Sequence, residues 1–255
     1  MDRFVHTALN SLSNLRDSRV IQSQNLANQN TPGFRKDLQN EGQTHFLTHF
    51  NDATSAVALH LETGAHGFSQ AAGTLMQTNE PMDLAIADKG YFYTMPANGE
   101  PALSRRGDLH QDANGVLLNG AGEKVLSNEM AEITLPPFRR MTVNDLGQIF
   151  IEPMTGEPGQ TVLAATIATV VPADDLKLQK SADGNIRTAD GTPLPIPNQA
   201  ARVVQGTLEG SNVNPVEELV ASIETQRQFE LGVRMIKTAQ EMDEGGARLL
   251  RMPDA

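Results

Sequence analysis

The chain has 255 residues, a formal net charge of −11 at pH 7 and no cysteine. The lack of cysteine excludes disulfides, thiolate metal sites and cysteine nucleophiles, and the negative charge argues against a nucleic-acid partner. Because no run of 18 apolar residues occurs, no membrane insertion is expected. The first 25 residues are too polar for the apolar region of a cleavable signal peptide, so none is expected.

The first predicted element is a helix from Arg3 to Ala27. Since much of this segment consists of amides and hydroxyls, we expect the helix to need a packing partner. Apolar residues recur at three- and four-residue spacings, which is typical of a seam one helix face wide: Val5, Ala8, Leu12 and Leu15, with Phe4 and Leu9 beside them and Leu26 further on.

The segment from Asn28 to Phe34 predicts the end of this helix and a turn. Asparagine tolerates the left-handed conformation that is common at helix C-termini. Thr31 precedes a proline and is therefore biased towards an extended conformation. Pro32-Gly33 fits the two central positions of a type II turn. Residues 1–36 are thus predicted to form a helix and a turn.

Residues 37–72 are predicted to be a connector. Glu41, His45 and His49 stand at helical spacing, which would place three potential metal ligands on one helix face. Apolar residues among them make the same segment an ordinary amphipathic piece, and no second group of ligands supports a site. We therefore expect no stoichiometric metal.

Residues 73–207 predict an all-β domain, a distorted barrel or sandwich of short antiparallel strands. Asp83–Asp88 alternates in polarity, Tyr91–Thr94 is rich in strand formers, and Leu163–Val171 is predicted to be one buried strand. Turn signals separate such segments, and each suits a hairpin position that needs positive φ: Asn98-Gly99, Asn114-Gly115, Asn119-Gly120, Asp183-Gly184 and Asp190-Gly191.

Acidic residues in this domain do not form a recognisable catalytic site. Asp108, His110 and Asp112 alternate along one possible strand, and Asp174-Asp175 is an acidic pair. Neither group comes with a nucleophile elbow, a phosphate-binding glycine loop or an oriented base. Turn chemistry explains these residues. The sequence therefore predicts no catalytic residue and no cofactor.

Residues 208–255 predict a second helix with a marked start. Asn214 can cap the first turn, Pro215 sits where a missing N–H is tolerated, and Glu217 and Glu218 place negative charge at the positive end of the helix dipole.

The second helix also carries apolar residues at helical spacing. Gly232, inside the helix, and Gly245-Gly246 are expected to weaken its last turns. We interpret the apolar residues as one stripe that polar residues interrupt: Val216, Leu219, Val220, Ile223, Phe229, Val233 and Ile236.

The two terminal segments carry opposite charge. Residues 1–36 contain five basic and two acidic residues, whereas residues 209–255 contain five basic and nine acidic residues. Exposed ion pairs contribute only ~0–1 kcal/mol each. The charges therefore favour pairing of the two segments more than they drive it.

Motifs at both ends resemble the signatures of bacterial flagellar rod and hook proteins. They are Asn25 to Phe34, Ser211 to Val216 and Glu224 to Glu230, in the order that the family shows. Further similarity at Leu75–Ile86 and Ser104–Asp108 extends the resemblance over most of the chain. Within the family, the chain is most similar to proximal rod proteins, and a distal rod protein is the near alternative.

The resemblance implies an α+β protein whose terminal helices pair in a coiled-coil-like core, with the β domain outside it. It implies a non-enzymatic subunit of the periplasm-spanning rod, exported by the flagellar type III apparatus and assembled with homologous rod subunits and with itself. Residues 37–72 would be a variable connector that packs against neighbours. The alternative from another class is a soluble hydrolase or binding module whose helices pack only within one chain.

From the apolar stripes and the resemblance together, we expect a subunit interface that includes both helices and both motifs. Its predicted residues are Val5, Leu9, Leu12, Leu15, Leu26, Asn28, Thr31, Gly33, Phe34, Asn212, Asn214, Leu219, Ile223, Gln226, Phe229, Val233 and Ile236.

Overall fold

The computed structural model describes residues 2–38, 67–155, 157 and 159–250. In these residues the chain is α+β, as predicted, with two long helices and fifteen short strands. Helix α1 spans Asp2–Ala27 and helix α2 spans Pro215–Leu250. The strands are β1 (Leu75–Gln77), β2 (Leu84–Ile86), β3 (Tyr91–Met95), β4 (Ala102–Ser104), β5 (Leu109–Gln111), β6 (Leu117–Asn119), β7 (Lys124–Val125), β8 (Phe138–Val143), β9 (Gln148–Pro153), β10 (Val162–Thr166), β11 (Thr169–Val170), β12 (Leu178–Lys180), β13 (Ile186–Thr188), β14 (Val203–Gln205) and β15 (Thr207–Glu209).

The described chain divides into two compact units. The helical unit contains α1 and α2, and the β unit contains Asn28–Lys36 together with the described residues from 67 to 213. The β unit therefore includes the turn after α1, which lies far in sequence from the strands. Neither described helix is long and apolar enough to cross a membrane.

The strands pair antiparallel in four sheets. The largest follows the order β12-β13-β4-β3-β7-β6-β5, with β11 also on β3, and a second follows β10-β9-β8. Two further sheets pair β1 with β15 and β14 with β2. Strands β12 and β5 remain the two ends of the largest sheet. No sheet in the described residues closes into a barrel. The barrel alternative of the predicted β domain is therefore wrong.

Two clusters of buried side chains form the core of the β unit. Alternation along β9 buries Ile149 and Ile151 in the first cluster, as expected for a strand with one face on the core. The second cluster includes Tyr93 and Leu103, both 0% exposed. Each fully buried side chain of this size contributes about 1.5–3 kcal/mol.

The predicted turns are mostly confirmed. The glycines of four of the five dipeptides have positive φ: Gly99, Gly115, Gly184 and Gly191.

The remaining dipeptide, Asn119-Gly120, differs. The Asn119 side-chain oxygen accepts the N–H groups of Ala121 and Glu123, each at 3.0 Å. With these bonds, the residue with positive φ in this turn is Gly122, at +79°, and not Gly120.

The prediction of one buried strand over Leu163–Val171 is wrong. The segment contributes to two strands, β10 and β11. Leu163 is 50% exposed, whereas Ile167 and Val170 are buried. β10 pairs only with β9 and contains a register shift between Leu163 and Ala165. An apolar run can therefore span an exposed sheet edge as well as a core.

The predicted start of α2 is confirmed. The Asn214 Oδ1 accepts the Val216 N–H at 3.1 Å, and the Asn214 Nδ2 donates to the Glu217 carboxylate at 2.9 Å. The turn after α1 is confirmed as well. The Phe34 N–H donates to the Thr31 carbonyl at 3.3 Å, and Gly33 has a φ of +68°.

Both tyrosines of the chain lie in the second core cluster, and the sequence contains no tryptophan. The Tyr93 hydroxyl donates to the Pro195 carbonyl. Burial raises the pKa of Tyr93 to about 12 and also raises the pKa of Tyr91. The neutral phenols therefore stabilise the folded state below about pH 10, and this contribution is lost as the pH rises through the folded pKa values.

We expect a spectroscopic titration to show this shift. Phenolate absorbance of the folded protein should rise only well above pH 10, and Tyr93→Phe should remove the component near pH 12. In denaturant both tyrosines should titrate near 10, because burial is lost. Titration of both phenols near 10 in the folded protein would contradict the assignment.

Candidate subunit interface

The two motifs that resemble rod and hook proteins contact each other inside the β unit. The Gly33 N–H donates to the Glu209 carbonyl at 2.7 Å, and the Asn212 N–H donates to the Phe34 carbonyl at 3.2 Å. The Asn212 side-chain oxygen accepts the Lys36 N–H at 2.6 Å. We call this contact region, Thr31–Lys36 with Glu209–Asn212, the junction. The sequence analysis identified both motifs but did not predict that they meet.

A buried ion-pair triad connects the two segments of the junction to each other and to Arg105. The Glu209 carboxylate accepts the Arg35 Nη2 at 2.9 Å and the Arg105 Nε at 2.6 Å, and all three side chains are at most 5% exposed. The Gly73 N–H donates to the same carboxylate at 2.7 Å. Burial lowers the pKa of Arg35, and the Glu209 charge opposes this effect. Since a buried charge is tolerated only when it is paired, the triad joins three distant segments.

Arg105 extends this network into the sheets. Its guanidinium also donates to the carbonyls of Ile86, Asp88 and Gly90, at 3.2, 2.8 and 2.7 Å. The Arg35 Nε, in contrast, has no hydrogen-bond partner among the described residues. Arg105 therefore ties the end of β4 to the connection between β2 and β3.

The pairing of these three residues was not predicted from the sequence. Arg35, Arg105 and Glu209 each lie within or beside a motif that carried the resemblance, but a buried ion pair has no periodic signal. The only available signal was a charged residue embedded in each motif.

Two junction residues that were predicted to lie at a subunit interface have contacts within the β unit. The Lys180 ammonium lies 3.7 Å from the centre of the Phe34 ring, a cation–π geometry. The same ammonium donates to the Arg35 carbonyl at 2.8 Å. The Asn212 amide donates to the Ala71 carbonyl at 2.7 Å. These residues stabilise the junction.

Asn28 and Thr31 shape the turn that leads into the junction. The Thr31 N–H donates to the Asn28 carbonyl at 3.1 Å, and the Thr31 hydroxyl donates to the Asn28 side chain at 3.2 Å. The structure thus brings the predicted residues Asn28, Thr31 and Gly33 together in one turn.

In the helical unit, α1 and α2 run antiparallel and contact each other through small and polar residues. The Gln22 amide donates to the Thr225 hydroxyl at 3.0 Å, and the Asn25 amide lies 3.5 Å from the Glu218 carboxylate. A Cβ at Gly232 would lie 2.8 Å from the Leu12 Cδ2. The glycine that was expected to weaken α2 therefore admits Leu12 to close contact.

The face of α2 that contacts α1, which we call the inner face, is formed by residues that recur every seven positions and by their neighbours four positions on. Phe229 and Ile236 are half-buried and follow Thr225 and Gly232 by four residues, which places them on the same face. The residues of this inner face that recur every seven positions are Glu218, Thr225, Gly232 and Ala239.

The prediction of a single apolar stripe on α2 is wrong. Leu219 and Ile223 are 53% and 52% exposed. They point away from the inner face, because they are one and two residues from the nearest members of its seven-residue repeat and not three, four or seven. Phe229 and Ile236 belong to the inner face instead. The spacing of apolar residues alone does not distinguish these two faces, because it does not show which side of α2 contacts α1.

The other predicted interface residues vary in exposure. Leu9 and Val233 are 51% and 47% exposed, and the Gln226 amide donates to Glu230 at 3.0 Å. Leu15 and Leu26 are half-buried on α1. The side chain of Val5 lies outside the described residues.

The possible metal ligands Glu41, His45 and His49 also lie outside the described residues. Within the described part of the chain, no group of three His, Cys, Asp or Glu side chains could hold a metal ion.

The acidic residues considered for catalysis have structural contacts. The Asp112 carboxylate accepts the N–H groups of Val116 at 2.7 Å and Asn114 at 2.9 Å, and the bond from Val116 is the main cause of its lowered pKa. Asp108 pairs with Arg106 at 2.8 Å. These contacts agree with the interpretation as turn chemistry.

Comparison with known proteins places these features in a family. Residues 204–249 match the model described as "Flagellar basal body rod FlgEFG protein C-terminal", and residues 85–151 match "Flagellar hook protein FlgE/F/G D1 domain". The flagellar basal-body rod protein FlgF of Caulobacter vibrioides is 30% identical over 98% of both chains. The chain belongs to the flagellar basal-body rod protein family. The resemblance inferred from the terminal motifs is thereby confirmed.

Other members of this family show similar coverage. FlgF of Salmonella typhimurium is 29% identical over 99% of this chain and 100% of its own length. FlgG of Agrobacterium fabrum is 29% identical over 87% of this chain and 89% of its own length. These relatives are named as rod proteins and not as enzymes. In this family member, the first matched region contains the junction residue Glu209 and most of α2, and the second contains Arg105.

Proposed function

We propose that this chain is a structural, non-enzymatic subunit of the proximal flagellar rod that polymerises through its terminal helices. It assembles with homologous rod subunits and with copies of itself, and it reaches the periplasm-spanning rod through the flagellar type III export apparatus. A position in the distal rod is the alternative within the family. Family membership and similarity to FlgF along the whole chain support the proximal assignment.

The observation that carries this proposal is an apolar face on α2 that no described residue covers. Val216, Leu219, Val220 and Ile223 are 68%, 53%, 50% and 52% exposed, and they lie within about two helical turns. A contiguous exposed apolar patch of this kind marks an interaction site. We call it the outer face of α2.

The proposed architecture has two parts. The terminal helices, residues 1–36 and 208–255, pair in a coiled-coil-like core whose inner contacts include the close approach of Leu12 to Gly232. The β domain, residues 73–207, packs as a distorted sandwich outside that core, and the connector 37–72 packs against neighbours. The interface includes the predicted residues on both helices and in the two motifs of the junction.

A soluble hydrolase or binding module remains the alternative from another class, with helices that pack only within one chain. The outer face of α2 favours the rod subunit, because helices that pack only within one chain would leave this apolar face in contact with water. Of the described residues that were considered for catalysis, Asp108 and Asp112 have structural contacts.

We expect Leu219→Asp and Ile223→Asp to block incorporation into the rod while the β unit keeps its melting transition. Burial of one unpaired carboxylate costs several kcal/mol, more than the ~1.5–3 kcal/mol that the leucine or isoleucine contributes on burial. Leu12→Asp should also block incorporation, because it places a charge against Gly232 in the helix pair. Motility and immunoblots of purified basal bodies provide the measurement.

The matched control is Gln228→Asp, which adds the same charge at an exposed polar position of α2 away from the outer face. This variant should be exported and assembled normally. Normal motility of both outer-face variants would show that the outer face is not an interface, and the proposal would then be abandoned.

A further inference from the structure

A second exposed face, on α1, differs from the outer face of α2 in charge. Leu9 and Val20 are 51% and 52% exposed, and the Arg16 side chain is 75% exposed. Arg19 is also exposed. Leu9, Arg16 and Val20 lie on the side of α1 away from Gln22, which contacts α2. Arg19 lies at the border of this side, where it lines a surface groove together with Arg16 and Val20. We call these four residues the basic face. It combines two apolar side chains with two guanidinium groups, of which that of Arg16 lies 3.6 Å from the carboxylate of the neighbouring Asp17.

The outer face of α2 has the complementary composition. Its four apolar residues are flanked on one side by Glu217 and Glu224, which stand seven residues apart and are both exposed. The Glu217 carboxylate accepts a hydrogen bond from the side-chain amide of the capping Asn214 at 2.9 Å. Both faces thus carry exposed apolar side chains, and their charges are opposite: acidic beside the outer face of α2 and basic on α1.

The two faces cannot meet within one chain. Leu12, Gln22 and Asn25 hold the other side of α1 against the inner face of α2. The basic face and the outer face therefore both point away from the contact between the helices. Their complementarity requires a second molecule.

We propose that the outer face of α2 in one copy of this chain packs on the basic face of α1 in the next copy. The inference rests on the proposed function and specifies its contact: Val216, Leu219 and Ile223 cover Val20 and Leu9, while Arg16 and Arg19 pair with Glu217 and Glu224. Such a contact joins two different surfaces. It therefore generates an open helical assembly when successive rotations do not close a ring.

The charges and the apolar residues have separate roles in this contact. Apolar burial supplies most of the affinity. The arginine–carboxylate pairs select the partner face and the register, because like charges in the same place repel. Arginine suits this role, since its planar guanidinium binds a carboxylate through two parallel hydrogen bonds.

Cysteine cross-linking tests the pairing directly, because the native chain contains no cysteine. The full chain with Val20→Cys and Ile223→Cys is exported into rods and treated in purified basal bodies with a flexible bifunctional thiol reagent. We expect cross-linked dimers and higher oligomers of this chain from the double variant and none from either single variant. The monomer in solution should give no cross-link within the chain.

Each other result overturns the proposal. Dimers from Ile223→Cys alone would show that two outer faces meet each other. Cross-linking only to a different rod protein would identify another occupant. A double variant that is present in basal bodies but forms no oligomer would show that the two faces are apart. Absence of the unmodified chain from basal bodies would instead refute the proposed function, so the two failures are distinguishable.

A charge exchange provides an independent test. Arg16→Glu with Arg19→Glu, and separately Glu217→Lys with Glu224→Lys, should each abolish incorporation by placing like charges across the contact. All four changes in one chain should restore incorporation, because the pairs are re-formed with reversed sign. Loss without restoration in the combined variant, with export and β-unit melting unchanged, would overturn the proposal.

Discussion

Replacement of Glu209 by alanine is expected to lower the free energy of unfolding of the β unit by about 3–5 kcal/mol. The carboxylate lies between the guanidinium groups of Arg35 and Arg105, at 2.9 and 2.6 Å, and all three side chains are buried. Glu209→Ala leaves two like charges buried without their counter-ion, and it also removes the acceptor for the Gly73 N–H. Urea unfolding followed by circular dichroism measures the change.

The control for this prediction is an exposed ion pair in the same unit. The Lys124 and Glu132 side chains form a salt bridge and are 43% and 44% exposed. Glu132→Ala should change the free energy of unfolding by at most about 1 kcal/mol, because water solvates the remaining lysine. If Glu209→Ala is no more destabilising than Glu132→Ala, the triad does not hold the junction together.

Replacement of Gly33 by alanine is expected to be the second most damaging change, with a loss of about 2–5 kcal/mol in the same measurement. Two effects add. A φ of +68° costs an alanine about 1–2 kcal/mol. In addition, the new Cβ would lie 2.4 Å from the backbone C and O of Arg105, and such overpacking typically costs about 1–3 kcal/mol.

Gly191 offers a matched control, since its φ is +66° and no atom lies within 4 Å of the position of a Cβ. Gly191→Ala should therefore show the conformational penalty alone. The difference between the two variants measures the close approach of the turn to Arg105. Equal destabilisation would mean that the turn can move away from Arg105 without loss.

Local sequence signals were sufficient to predict the end of α1 and the start of α2. Asn214 and Pro215 define the start of α2 through a cap and a permitted missing N–H, and Pro32-Gly33 defines the turn after α1. These features depend on a few neighbouring residues. A strand was predicted over Tyr91–Thr94 for a similar reason, because these residue types favour a pleated and buried segment, and β3 spans Tyr91–Met95.

Features that depend on distant residues were not predictable from the sequence. Arg105 and Glu209 are 104 residues apart, and neither position carries a periodic pattern. The inner face of α2 was missed for another reason. Thr225 and Gly232 allow close approach of α1, whereas the search for a helix contact relied on apolar residues. Helix contacts that are made by small and polar residues were therefore identified only in the structure.

The junction has a consequence for the order in which the chain folds. Lys36 and Asn212, which it joins, are 176 residues apart. Closing a loop of that length loses about 4–5 kcal/mol of chain entropy before any contact compensates for it, and folds that depend on such distant pairings form slowly. If the proposed export delivers the N-terminus first, the β unit cannot be completed until β15 has followed. The junction is then the last part of the β unit to form.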